Sequence, residues 1–245
     1  MKDKVAIITG ASSGIGEAIA RLFVKKGLTV ALIARRSENL ALIVNDLKRQ
    51  GGNAVSYSCD ISDMRQIKDT FSKIAEDFNI VHFLINNAGI SSNVSMTVIN
   101  PEPLLKDYSV NAIGTYACSA SAYPLMPSGG AIVNIASIWG RLGSPSSSLG
   151  YAASKAAIIN ITKSLAMYLA RHNIRVNCIA PGAVYPTEMS IAWDETKRTE
   201  ISAATLLGRL GSPEEIAEVA YFFISDSSSF VTGQTLDVNG GRWMS

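Results

Sequence analysis

Tyr151 and Lys155 stand four residues apart in Tyr151-Ala152-Ala153-Ser154-Lys155, at the start of an apolar stretch of helical period running to about Arg171. Residues at i and i+4 share one helix face, so this spacing sets a phenol beside an ammonium. A tyrosine with its ordinary pKa of about 10 is a poor acid or base near neutrality. A neighbouring cation favours the phenolate and lowers that pKa toward a useful range. The same spacing also suits a tyrosine and a lysine that merely share a surface, and context decides between the two. Ser137 follows an apolar run of strand length, Ala131 to Ala136, and precedes Tyr151 by fourteen residues. A hydroxyl at the carboxyl end of a strand faces the crevice of an open sheet, where it can hydrogen-bond a carbonyl or a developing alkoxide. His82 and His172 are the only histidines, which argues against histidine-based catalysis, and no residues stand at metal-ligand spacing.

The elements that must position these groups are readable as an alternation. Lys4 to Thr9, Thr29 to Ala34, Ala54 to Ser58, Val81 to Ile85, Ala131 to Ala136 and Arg175 to Ile179 read as buried strands. Between them lie amphipathic segments such as Gly14 to Lys26, Ser37 to Gln50 and Ser62 to Phe78. This pattern predicts an α/β fold, a doubly wound and mostly parallel sheet with helices on both faces. No linker or low-complexity stretch divides residues 1–245, so one domain is expected. Hydrophobic residues at 47% and charged residues at 17% fit a globular chain and exclude extensive disorder. A net charge of +2, with scattered Lys and Arg, gives no footprint for nucleic acid. Cys59, Cys118 and Cys178 lack metal or redox spacing and read as small buried hydrophobes in a reducing compartment. The N-terminal apolar run is too short for a signal peptide or membrane span, so a soluble cytoplasmic protein without a membrane partner is expected.

The first strand ends in Thr9-Gly10-Ala11-Ser12-Ser13-Gly14-Ile15-Gly16 and opens into a helix. Glycines let such a turn approach a pyrophosphate, and the helix N-terminus offers it free N–H groups. A tight strand-to-helix turn would use glycines as well. In Rossmann-type dinucleotide folds an acid after the second strand usually holds the adenosine ribose. Here Ala34 takes that place and Arg35-Arg36 follow. A guanidinium fork suits a 2′-phosphate, although a solvated turn would also carry arginines.

These landmarks together resemble the short-chain dehydrogenase/reductase family, whose signatures are a TGxxxGxG turn and a YxxxK pair. The resemblance covers essentially the whole chain, including Gly211-Ser212-Pro213-Glu214-Glu215 and Val231-Thr232-Gly233-Gln234. It implies a nicotinamide cofactor, NADP(H) in preference to NAD(H), held at Gly10, Ser12, Ser13, Gly14, Ile15 and Gly16. Arg35 would be the main 2′-phosphate contact, with Ser12 or Arg36 assisting. Asp60 and Ile61 match the position that meets the adenine ring. Asn86-Asn87-Ala88-Gly89 matches the NNAG motif, whose amides tie strands together while Gly89 lets the cofactor lie close. Asn111 matches the asparagine that holds a water relaying protons to the lysine. Pro181, Gly182, Val184 and Thr187 match the segment that contacts the nicotinamide. Tyr151 would then be the acid/base, Ser137 would orient the carbonyl oxygen, and Lys155 would lower the tyrosine pKa and hold the nicotinamide ribose.

The nearest pattern is the branch of β-ketoacyl carrier-protein reductases, which implies reduction of a 3-oxoacyl thioester. That branch docks its acidic carrier protein on basic residues before the fifth strand. Here the corresponding stretch, Pro124 to Gly130, is short and uncharged. A steroid, sugar or small ketone is therefore an alternative substrate, and Trp139, Tyr185, Met189 and Trp193 are candidate walls for an apolar pocket. Met189 to about Leu207 reads as a lid. A non-catalytic NADP-sensing module is the competing class. Nucleotide-sugar epimerases share YxxxK but usually carry a longer C-terminal substrate domain. Family members mostly form homotetramers, or dimers, through their long helices, which the apolar Ala156 to Leu169 segment permits.

Overall fold

The computed structural model describes residues 1–92, 100–144 and 149–244. Seven strands are present: β1 (Val5–Thr9), β2 (Thr29–Ala34), β3 (Ala54–Ser58), β4 (Phe83–Asn86), β5 (Ala131–Ile135), β6 (Arg175–Pro181) and β7 (Thr235–Val238). The helices are α1 (Gly14–Lys25), α2 (Ser37–Arg49), α3 (Met64–Phe78), α4 (Glu102–Tyr108), α5 (Gly114–Ala122), α6 (Trp139–Leu142), α7 (Leu149–Leu169), α8 (Glu195–Ala203) and α9 (Pro213–Ile224). The strands form one sheet in the order β3-β2-β1-β4-β5-β6-β7, with every pairing parallel. Successive side chains of a strand point to opposite faces. Ala6 and Ile8 accordingly pack with Phe23, Leu40, Leu47 and Phe223 of α1, α2 and α9. Val5 and Ile7 pack on the other face with Ile67, Phe71, Cys118 and Leu169 of α3, α5 and α7. All three cysteines are free and buried, as expected.

The bounds of β2 and β3 match the sequence reading: β2 is a buried run ended by Arg35, whereas β3 lies at the sheet edge with Ala54 and Tyr57 buried and Ser56 and Ser58 exposed. Val81 and His82 fall before β4, and β6 runs on to Pro181, which pairs with Val238. The seventh strand lies outside the sequence expectation. Its Thr-Leu-Asp-Val lies at the sheet edge, where Leu236 is exposed, so it lacks the apolar run that marks a central strand. Helix N-termini differ in a way that bears on function. Asp63 caps α3 by accepting from the N–H groups of Arg65 and Gln66, and Ser212 with Glu215 forms a reciprocal capping box on α9. Ser13, at the start of α1, makes no such side-chain bond, leaving that helix end open to an anion.

Candidate active site

The chain leaves β1 toward β2 and β3 on one side, then returns to place β4 against the other side of β1. Loops leaving the carboxyl ends of β1 and β4 diverge there, and such a switch point is where open α/β sheets bind ligands. A cleft of about 1020 Å³ opens at this end of the sheet. Of the expected cofactor and catalytic residues, all but Gly16 and Asn111 line it. Those two act from behind. A Cβ on Gly16 would come within 2.3 Å of the Gly10 carbonyl oxygen, so only glycine lets α1 pack this close to the turn. Gly14 has φ +58, a left-handed conformation in which a side chain would be strained.

Asn87 holds the turn from the β4 side. Its amide Nδ2 donates to the Thr9 and Gly10 carbonyls, and the Thr9 hydroxyl accepts from the N–H groups of Asn87 and Ala88. The NNAG segment thus ties β1 to β4. Asn86 donates to both Ser119 and Asn134, linking β4, β5 and α5 beneath the cleft. Asp60 accepts from the N–H and hydroxyl of Ser62, while Ile61 packs closely on Gly114.

The two arginines divide in a way the sequence does not indicate. Among the described residues the Arg35 side chain makes no hydrogen bond or ion pair; only its carbonyl is engaged, by Ser58 Oγ. Arg36 instead reaches back over the glycine turn. One guanidinium nitrogen lies 3.1 Å from Ser12 Oγ and 3.3 Å from Ser13 Oγ, and its fork grips Glu188 at 2.9 and 2.7 Å. The residues present therefore suit a phosphorylated dinucleotide: an uncapped helix N-terminus, a glycine turn, two serine hydroxyls and an uncommitted guanidinium in one cleft.

Ser137, Tyr151 and Lys155 come together where β5 ends. The fourteen-residue step from Ser137 to Tyr151 does not separate them: both line the same cleft, and the Ser137 hydroxyl lies close enough to act on the Tyr151 phenol. Trp139 N–H donates to Ser137 Oγ and fixes its place at the start of α6. Lys155 is 3% exposed; its Nζ donates to the Ile135 carbonyl at 2.7 Å and lies 5.6 Å from the centre of the Tyr151 ring. Burial pulls Lys155 down to about 8. Tyr151 differs from expectation. Burial pushes its phenol above the usual value, the nearby Ser137 hydroxyl works the other way, and the charge of Asp107 adds to the rise. Desolvation is the largest of these influences, and the Lys155 ammonium, directed at the Ile135 carbonyl, does not reverse it. The phenol is therefore protonated at neutral pH, the form a proton donor requires.

Asn111 sits in a π-helical turn, Ser109–Ile113, between α4 and α5. It is wholly buried, and its side chain is committed: Oδ1 accepts from Ile90 N–H, while Nδ2 donates to the Ile90 carbonyl and to Ser154 Oγ. Ser154 in turn donates to the Tyr151 carbonyl. Asn111 thus positions the loop after β4 and the first turn of α7. Ser154 has no assigned role in the sequence reading, although it lies inside the Tyr151–Lys155 segment.

Beyond β6, Val184 is buried and bridges to Gly211, while Thr187 N–H donates to Ser190 Oγ. Trp139, Met189 and Trp193 line the cleft. Tyr185 does not: its ring stacks under Arg198, which also donates to its hydroxyl. The expected lid segment contains α8 and contributes Lys197, Glu200, Ile201 and Ala204 to the cleft wall. Arg242 joins them from the C-terminal end, its guanidinium 5.3 Å from the Trp139 ring. No group of three or more His, Cys, Asp or Glu among the described residues is placed to hold a metal ion. None of their helices is long and apolar enough to cross a membrane.

Comparison with known proteins agrees with this geometry. A family model described as enoyl-(acyl carrier protein) reductase matches residues 10–242. The 3-oxoacyl-(acyl-carrier-protein) reductase FabG of Thermotoga maritima is 37% identical over 98% of both chains. A 3alpha-hydroxysteroid dehydrogenase of Mediterraneibacter gnavus is 38% identical over 98% of this chain and 97% of that protein. Among solved structures, a single-substitution variant of actinorhodin polyketide ketoreductase with NADPH superposes with a TM-score of 0.90 at 32% identity, over 99% of each chain. A short chain dehydrogenase from Burkholderia cenocepacia, in complex with NADP, gives 0.92 at 27% identity over 98% of each. The chain belongs to the short-chain dehydrogenase/reductase family and is an NAD(P)-dependent oxidoreductase.

Proposed function

We propose that this protein is an NADP(H)-dependent reductase that converts a carbonyl to a secondary alcohol, with NAD(H) as the poorer cofactor and Tyr151 as the proton donor. The observation that carries this reading is the grouping of Ser137, Tyr151 and Lys155, with the ammonium 5.6 Å from the Tyr151 ring, in the cleft that begins at the glycine turn. A nicotinamide bound there supplies the hydride. Tyr151 gives its proton to the carbonyl oxygen, and Ser137 holds that oxygen by a hydrogen bond that strengthens as charge develops. Lys155 steadies the phenolate left behind. Asn111 keeps the first turn of α7 in place, and a water near it would relay the replacement proton.

Trp139, Met189, Trp193 and Ile201 give the cleft an apolar wall, edged by Lys197, Glu200 and Arg242, which suits an apolar body carrying a polar group. Relatives that act on 3-oxoacyl carrier protein and on a hydroxysteroid both support a ketone on such a body. A 3-oxoacyl thioester is the first candidate. The test is NADPH oxidation with acetoacetyl-CoA beside a panel of steroid, sugar and small ketones. Turnover of at least one carbonyl is expected. Tight NADPH binding with no oxidation across the panel would replace the enzyme by a sensing module.

Arg35 is the uncommitted guanidinium at the place where a 2′-phosphate distinguishes the two cofactors. Hydrogen bonds to charged groups contribute about 1.5–3 kcal/mol, so Arg35→Ala should raise the NADPH dissociation constant roughly 10- to 100-fold. NADH binding, read by the same fluorescence titration, should change little. A parallel loss for both cofactors would remove Arg35 from the phosphate site.

A further inference from the structure

The donors gathered over the glycine turn already hold an anion, and it belongs to the chain. Glu188 lies one residue beyond Thr187, on the wall opposite β2. Its carboxylate takes both arms of the Arg36 fork, at 2.9 and 2.7 Å, and accepts from Ser13 Oγ at 3.3 Å. Arg36 is held from below by Ser12 Oγ and Ser13 Oγ. A planar carboxylate on a bidentate guanidinium satisfies the same donor geometry that a phosphate would. The N-terminus of α1, which Ser13 begins, has no side-chain cap and adds its dipole to the attraction for an anion near this turn.

We propose that Glu188 is an internal stand-in for the cofactor's 2′-phosphate: it occupies Arg36 and the turn serines in the free enzyme and must give them up when a 2′-phosphorylated nucleotide binds. This rests on the NADP(H) reading above and adds a residue that sets how strongly that phosphate is preferred. Two forces act in the same direction. The incoming phosphate has to break the Arg36–Glu188 pair, and the glutamate charge repels the phosphate dianion. Both side chains are about half exposed, so each contribution is modest and screened by salt. Glu188 precedes the wall segment formed by Met189, Ser190 and Trp193, so phosphate binding also frees the near end of the substrate wall.

The test compares 2′,5′-ADP with 5′-AMP by calorimetry on the intact protein and on Glu188→Gln, a substitution at an exposed side chain that the fold tolerates. These probes differ only in the 2′-phosphate and need no turnover. The variant should bind 2′,5′-ADP about 3- to 10-fold more tightly than the parent, as expected for loss of one exposed bidentate pair and one repulsive charge. Binding of 5′-AMP should stay within about twofold, and the gain should shrink as salt shortens the Debye length to about 3 Å near 1 M. If the parent prefers 2′,5′-ADP and the variant gains nothing, or loses affinity, Glu188 is not a competitor and the proposal falls alone. If neither protein distinguishes the two probes, the NADP(H) reading falls with it.

Discussion

Tyr151→Phe should lose at least ~2 orders of magnitude in turnover, the ordinary share of general acid-base catalysis, while binding NADPH within about threefold of the parent. The substitution removes one oxygen and keeps the ring, which packs at the start of α7 and faces Lys155 from 5.6 Å. The fold is therefore retained, and the loss is chemical. Burial holds the phenol above its ordinary pKa, so at neutral pH it carries the proton that a carbonyl oxygen needs. Phenylalanine has nothing to give, and Ser137 is left to polarise the oxygen alone. Single-turnover measurement with saturating NADPH separates this step from cofactor binding. Near-normal turnover would transfer the acid role to another group and leave Ser137 as the nearest hydroxyl.

Much of this site is legible in the sequence because its parts are local. The glycine turn and the Tyr151–Lys155 spacing are short patterns that each allow a second reading, and an open sheet decides between them by bringing the strand ends to one crevice. Ser137 can be placed because a hydroxyl directly after a buried strand lies at the crevice whatever the length of chain that follows it. What escapes has the opposite character. Arg36 and Glu188 are 152 residues apart, and only the crossing of two loops over α1 pairs them. The direction of the Tyr151 shift depends on desolvation, which exists only once the fold has formed around the ring. Tyr185 is a pocket wall by residue type, yet Arg198 on α8 draws it away from the cleft. Asn111 is assigned by resemblance alone; its π-helical turn and its grip on Ile90 have no spacing signature. The edge strand β7 shows the same limit, since its partner β6 supplies the order that its own composition lacks.

Lys155→Met should separate what the lysine costs the fold from what it gives the chemistry. In the unfolded chain the amine titrates at its ordinary 10.5, whereas burial brings it to about 8 in the fold. Between those values the unfolded state binds more protons, so this group makes stability rise with pH through the window and has no further effect below about 8 or above about 10.5. At 1.36 kcal/mol per pKa unit, the parent should gain about 3 kcal/mol relative to the methionine variant across the window, most of it by pH 10. Urea unfolding of both proteins from pH 7 to 10 reads the difference, and subtraction largely cancels the titration of Tyr151. A constant gap would mean that the amine is solvated in the fold. Activity should move the other way. Below about pH 8 the amine is charged and can steady the Tyr151 phenolate, so the rate of carbonyl reduction should fall as pH rises through 8, in parallel with the stability gained. The methionine variant should be slower by at least ~2 orders of magnitude and lack that inflection. A profile still breaking near 8 in Lys155→Met would assign the titration to another group. On the proposed mechanism, the buried ammonium is an unfavourable charge that the fold carries at neutral pH and that the proton transfer beside it would use.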